Sequence, residues 1–352
     1  MDKKYIDSIT SLKGIFIIVI VLYHVNAQFG NVFSDKLYFV YEYGGLIGNC
    51  CFFMLSGFLL TLNNKEMIRN GNITFMQYIL KHIWKIYPLY FFSNMCQLLI
   101  NIYDYGFLQS FNVAEFLKVA LMITSGWIDD FYPYNYPTWF ISVLLICYIL
   151  YYFLTKSSKK DSDFYYVFIL LLLIWGQILL QNSWSIPFCY AHNGQGIFNF
   201  TLGIVLCEMY IWLEGHKYYY KYITTISIGA FAALVIGTFI WGLYAFIGNL
   251  SFVYSLLVCP LIIYFSIRIK IIRKVLSAAP LVRLGKISMS IFMWHVPIAG
   301  FLRIITSKYV DDIANYQEAY FIVYFVIIII WSIVSSRLDA RFHNYVNISL
   351  KK

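Results

Sequence analysis

Residues 11–25 read SLKGIFIIVIVLYHV. The stretch is apolar enough to lie in lipid, yet it holds Lys13 near one end and His24 near the other. Ionisable groups in a hydrocarbon core are costly, so a pair of them points to function. At about 100° per residue, eleven residues bring the helix round to within about 20° of its starting direction, and about 16 Å along its axis. The two side chains therefore share one helix face, Lys13 at one mouth of the membrane and His24 past its middle. Taken singly, Lys13 reads as a snorkelling anchor and His24 as a partner in an interhelical hydrogen bond. Together they mark a path from a membrane surface into the bilayer.

The rest of the chain extends that reading. Of its 352 residues 61% are hydrophobic and only 12% charged, where a soluble domain would carry about twice the charge. Apolar runs of spanning length recur at 12–30, 44–62, 83–102, 138–154, 164–180, 196–213, 222–241, 247–267, 287–303 and 320–336. The sequence is thus expected to be all-α, a polytopic membrane protein of about ten transmembrane helices. The net charge of +9 could suggest nucleic acid, but the placement of the cations argues for topology instead. Of 26 Lys and Arg residues, 22 fall on one set of alternating segments; only Lys36, Lys118, Arg303 and Lys308 fall on the other. By the positive-inside rule both termini are expected in the cytoplasm. Aromatics at 20% suit helix ends at the headgroup level. Lys3 and Lys4 ahead of an apolar run, with VNA before Gln28, also resemble a secretory signal. Asp2 and Asp7 dilute that positive end, and the charge alternation needs the segment as a span.

Seven scattered Cys, mostly inside spans, show neither a disulfide framework nor metal-type spacing, and read as apolar packing residues. The longest stretch outside the spans is 103–137. Its first part, FLQSFNVAEFLKVALMITSGW, has helical apolar spacing. Its end, WIDDFYPYNYPTW, is an aromatic outward loop that could stack on sugar rings or form part of an aromatic belt.

Other polar residues lie where lipid is expected. In LKHIWKIYPLYFF, Lys81, His82 and Lys85 cluster ahead of Pro88, which removes a backbone donor and can kink the helix. Cations there serve topology, or the phosphates of a nucleotide-like ligand. CFFMLSGFLLT carries a Ser56–Gly57 pair suited to close helix packing. LGKISMSIFMWHVPIAG puts His295 halfway through the ninth span, at a depth where it could face the same cavity as His24 or serve a structural hydrogen bond. Glu208 sits near the inner end of the sixth span.

These stretches resemble the acyltransferase 3 family of bacterial integral-membrane O-acyltransferases. SLKGIFIIVIVLYHV is similar to the family's first span, a basic residue followed by His. CFFMLSGFLLT resembles its Phe-rich second span, and KHIWKIYPLY its basic entry to the third. PTWFISVLLICYIL resembles the Trp-containing fourth span and LGKISMSIFMWHVPI the late Ser-and-His span. The resemblance covers essentially the whole chain as one membrane-embedded domain, without the C-terminal hydrolase-like domain of some members. It implies a bacterial cell-membrane enzyme with cytoplasmic acetyl-CoA as donor substrate and no metal, whose acceptor on the outer face, among membrane lipids, is a surface or secreted glycan or its lipid-linked precursor. His24 falls on the family's catalytic histidine; Lys13, His82 and Lys85 fall on basic positions near the donor. This sequence departs from the pattern in having Lys at 13 and 85 and His at 82 in place of arginines. Lys keeps charge but loses the bidentate fork. Leu144 and Leu145 stand where one large subgroup has Glu.

The expected chemistry follows from the parts. Cations at the inner mouth hold phosphates, a narrow cavity admits the pantetheine arm, and neutral His24 takes the acceptor's proton as general base. Ser56 and Trp139 are the candidates for stabilising the oxyanion, and a covalent acyl relay stays open. The competing reading is a transporter or flippase for glycans, which explains the helices and aromatic loops but leaves the Lys13–His24 alignment without a role. A purely structural subunit would tolerate loss of His24. No residue pattern sets an oligomeric state.

Overall fold

The computed structural model describes residues 3–29, 38–158, 163–182, 184–246, 250–307 and 316–349. All its regular elements are helical. In chain order they are α1 (Lys3–Phe29), α2 (Tyr38–Arg69), α3 (Phe75–Tyr105), the short α4 (Phe107–Ser110) and α5 (Val113–Ala120). A single 3-10 turn, Tyr136–Thr138, leads into α6 (Trp139–Ser157), followed by α7 (Asp163–Gln181), α8 (Ala191–Gly215) and α9 (Lys217–Phe246). Then come α10 (Leu250–Val253), a π turn at Tyr254–Val258, α11 (Cys259–Arg268), α12 (Lys270–Leu276), α13 (Ala279–Lys286), α14 (Ser288–Thr306) and α15 (Gln317–Ser349). Among the cations sorted above, Lys36, Lys159, Lys160, Lys308, Lys351 and Lys352 lie outside the described residues, as does the start of the 247–267 run.

Among the described residues, seven helices are long and apolar enough to cross a membrane, and an eighth if a bent pair counts as one span. The differences from the ten predicted runs have local causes. α3 is 31 residues long, but Ser93, Asn94 and Gln97 are buried along it and dilute its apolar character. The eighth run ends in a 90° bend between α11 and α12, which turns the cationic segment away from the helix axis. α9 is 30 residues long. Pro88 does not break α3, which runs through it.

Burial separates centre from periphery. α6 is largely buried inside the protein, whereas α7 and α15 are largely exposed. The centre is assembled from α1, α2, α6 and α8, with α14 closing against α1, α3 and α15. Gly57 and Gly203 set the α2–α8 approach. A Cβ on Gly57 would lie 2.1 Å from the Phe200 carbonyl oxygen, and one on Gly203 would lie 2.0 Å from that of Met54. The packing role read from the Ser56–Gly57 pair is thus explicit in the backbone. Ser11 Oγ donates to the Leu276 carbonyl at 2.5 Å, tying α1 to the end of α12. The cysteines need one correction: Cys51 of α2 and Cys259 of α11 are joined as a disulfide. Across 208 residues no spacing motif could have announced that pairing.

Candidate active site

α1 carries Lys13 and His24 on one continuous helix, and α14 brings His295 against His24. Both imidazoles are buried. His24 Nδ1 and His295 Nε2 are 2.8 Å apart, with the rings stacked at 4.8 Å between centroids. The proton positions follow from the outer partner. His295 Nδ1 lies 2.8 Å from the Phe292 carbonyl. A carbonyl can only accept, so Nδ1 carries the hydrogen and Nε2 of the neutral ring offers a lone pair. His24 Nδ1–H therefore donates to His295, and His24 Nε2 is left with its lone pair. The Tyr23 and Tyr136 rings wall this histidine edge-on at 5.0 and 5.2 Å.

The position of His295 is itself supported by buried polar groups. Pro297 lacks an N–H, so the Met293 carbonyl loses its helical donor. The Asn135 side-chain amide takes over, donating to Met293 O at 2.7 Å and to Ser93 Oγ at 3.2 Å. Asn94 Oδ1 in turn accepts from the Asn135 backbone N–H at 2.9 Å, and its amide reaches Thr138 Oγ1 at 3.2 Å. On the far side the Tyr324 hydroxyl donates to the His295 carbonyl at 3.0 Å. Ser93, Asn94, Asn135, Thr138 and His295 are all fully enclosed. Sequence reading missed Asn94, Asn135 and Tyr324. Pro297 beside His295 was the available signal, since a proline inside a buried helix leaves a carbonyl that must find another donor.

At the opposite end of α1, Lys13 has Lys85 of α3 for an electrostatic neighbour. His82 lies in the field of Lys81 and Lys85. His82 Nδ1 donates to the Tyr78 carbonyl at 2.7 Å, which leaves Nε2 as its free nitrogen. The His82 ring sits between Tyr78 and Tyr148, at 4.6 and 4.8 Å. Lys65, Lys118, Arg268 and Arg303 pair with Glu208, Asp129, Glu214 and Asp104. No ion pair to a carboxylate involves Lys13 or Lys85 among the described residues. Glu208, read as a mouth residue, is thus engaged by Lys65 and by the Tyr165 hydroxyl at 3.2 Å.

Ser56 and Trp139 are engaged elsewhere than at the histidine pair. Ser56 lies beside the Tyr148 side chain, whose ring packs against His82. The Trp139 ring lies 4.3 Å from that of His192 and also packs against Phe53 and Phe140. His192, unnoticed in the sequence, faces both Asp130 oxygens from Nδ1 at 3.0 Å and meets the Tyr132 hydroxyl through Nε2 at 3.1 Å. This Asp–His–Tyr chain joins Asp130 and Tyr132 of the aromatic loop ahead of α6 to His192 in the first turn of α8. Among the described residues, no group of three or more His, Cys, Asp or Glu is placed to hold a metal ion.

The model of the acyltransferase domain of the acyltransferase 3 family matches residues 6–337. No curated protein and no solved structure matches the chain.

Proposed function

The chain belongs to the acyltransferase 3 family, and on that footing we propose that it moves an acetyl group from acetyl-CoA to a hydroxyl of a cell-surface or exported glycan. In this reading ten helices span a bacterial cell membrane with both termini in the cytoplasm. The unequal split of Lys and Arg between alternating segments supports that orientation.

The observation that carries the proposal is the hydrogen bond from His24 Nδ1 to His295 Nε2. It leaves His24 Nε2 as an unprotonated base held in one orientation. The acceptor hydroxyl gives its proton to that nitrogen while its oxygen attacks the thioester carbonyl carbon. The tetrahedral intermediate collapses with cleavage of the carbon–sulfur bond, and the imidazolium returns the proton to the departing sulfur. His295 accepts from the Nδ1–H throughout and stabilises the positive ring. It fills, without a charge, the place a carboxylate takes in a hydrolytic triad.

Lys13, His82 and Lys85 are the donor-binding groups in this scheme. That no carboxylate pairs with Lys13 or Lys85 among the described residues fits a site kept for phosphates. The separation of about 16 Å from Lys13 to His24 along α1 is comparable to an extended pantetheine arm. The test uses purified protein in vesicles with labelled acetyl-CoA, reading thiol release and label transfer to extracted glycans. Transfer that vanishes in His24→Ala supports the scheme. Transfer that survives removes His24 as the base, and a folded protein that consumes no acetyl-CoA returns the balance to transport.

A further inference from the structure

Residues 268–286 read RIKIIRKVLSAAPLVRLGK, and from residue 215 to residue 310 the chain has no Asp or Glu. Cations in such a stretch find carboxylates only from elsewhere in the fold. Arg268 does so: it is buried at the end of α11 and pairs with Glu214. Arg273 turns back on the chain and donates to the Ile267 carbonyl at 3.2 Å. Lys270, Lys274, Arg283 and Lys286 are exposed, and none of them forms an ion pair to a carboxylate among the described residues.

Helix geometry gathers these four cations on the outside of the segment. On α12, Lys270 and Lys274 stand one turn apart, and so do Ile271 and Val275. The two stripes lie about 100° apart round the helix. Ile271 is 76% exposed and Val275 60%, while Leu276 on the other side is buried. α12 therefore shows a cationic edge and an apolar edge side by side. On α13, Arg283 and Lys286 share one face. The far side of α13 is fixed to α1 next to Lys13. A Cβ on Gly285 would lie 1.8 Å from the Thr10 carbonyl oxygen, and one on Gly14 would lie 2.7 Å from the Gly285 nitrogen.

Ile271 and Val275 cost free energy if they face water, and the 90° bend sets α12 across the axis of α11. In the topology proposed above, Arg268 stands at the cytoplasmic end of the eighth span, so α12 runs along that face of the membrane. There an apolar edge meets acyl chains and a cationic edge meets headgroups. With no carboxylate supplied by the fold, the charge complement of these cations is a phosphate. A soluble phosphate would leave Ile271 and Val275 in water, which favours the lipid.

We propose that α12 and α13 form a binding site for anionic phospholipid. Lys270 and Lys274, with Arg283 and Lys286, hold the negative headgroups, and Ile271 and Val275 rest among the acyl chains. The bound lipid braces the segment that packs on α1 beside Lys13. This goes beyond the acyl-transfer reading, and its test needs no turnover.

The test is native mass spectrometry of the full chain in neutral detergent, titrated with phosphatidylglycerol, phosphatidylcholine or inorganic pyrophosphate. Phosphatidylglycerol should be retained in preference to phosphatidylcholine. Lys270→Gln with Lys274→Gln should weaken its binding about 30-fold, whereas Lys270→Arg with Lys274→Arg should keep it. Lys156→Gln with Arg341→Gln removes the same charge from exposed positions elsewhere and should leave binding unchanged. Ile271→Ser with Val275→Ser should weaken phosphatidylglycerol binding as well. Equal retention of the two lipids overturns the inference, as does phosphatidylglycerol binding that ignores Lys270→Gln with Lys274→Gln. A loss just as large in the Lys156 and Arg341 variant would reduce the effect to net charge and overturn it too. Pyrophosphate that binds as tightly as phosphatidylglycerol, and is lost with Lys270 and Lys274, would assign the patch to a soluble phosphate instead.

Discussion

His24 Nδ1 and His295 Nε2 face each other at 2.8 Å across the α1–α14 contact, with 271 residues of chain between them. Since Phe292 accepts from the other nitrogen of His295, the direction of every proton in this chain is set. The lone pair ends on His24 Nε2, where the proposed transfer calls for a base.

His24→Ala should therefore lower kcat for acetyl transfer by about 10²–10⁴-fold, the range of a positioned general base. KM for acetyl-CoA should hold, because Lys13, the proposed donor-binding residue of this helix, lies eleven residues away at its far end. Steady-state kinetics in vesicles checks both numbers.

The role of His295 is separable from that of His24. A hydrogen bond to a charged ring contributes about 1.5–3 kcal/mol, so His295→Phe should cost about 10- to 100-fold in kcat. His295→Gln, whose amide oxygen can still accept from His24 Nδ1–H, should recover part of the loss. Equal activity in the Phe and Gln variants would mean the hydrogen bond is irrelevant.

Lys13→Ala and Lys85→Ala should each raise KM for acetyl-CoA about tenfold, with kcat nearly unchanged. Raising the salt concentration should narrow the gap from wild type. Lys13→Arg restores a charge and adds a bidentate fork, and is expected to tighten donor binding. Binding of acetyl-CoA measured by calorimetry at two salt concentrations decides the matter.

Asn135→Leu removes the donor that the Met293 carbonyl uses in place of the missing Pro297 N–H. Leaving that carbonyl unpaired costs about 1–3 kcal/mol, visible as earlier thermal unfolding in detergent. An unshifted transition would mean that the helix supplies another donor.

Gly203→Val tests the bundle rather than the site. The new Cβ would stand 2.0 Å from the Met54 carbonyl oxygen. α2 and α8 would have to separate, at a cost of about 1–3 kcal/mol or more. Loss of folded protein on size exclusion, or a lowered melting temperature, is the expected result.

Some of this was legible in the residues. Lys13, His82 and Lys85 were singled out as charges that sit badly with lipid; in the structure Lys85 neighbours both Lys13 and His82 electrostatically. His24 and His295 were each identified, and their shared depth was read from their positions within their spans. Asn135 was not identified, because a polar residue in an aromatic loop gives no sign of reaching a helix carbonyl 158 residues away. Asp130, Tyr132 and His192 were hidden for the same reason, their contacts spanning 60 or more residues.

The sequence by itself determined that the chain is a helical membrane protein. A spanning helix satisfies its backbone within one segment, and the apolar run that permits this is written locally. The cost of charge in lipid likewise singled out Lys13 and His24 one residue at a time. Only the tertiary structure decided which polar groups meet. It bent α11 away from α12, joined Cys51 to Cys259, and turned His24 Nδ1 toward His295. Those outcomes depend on how helix surfaces fit, as where Gly57 and Gly203 let backbones touch, and such contacts carry no periodic signal along the chain.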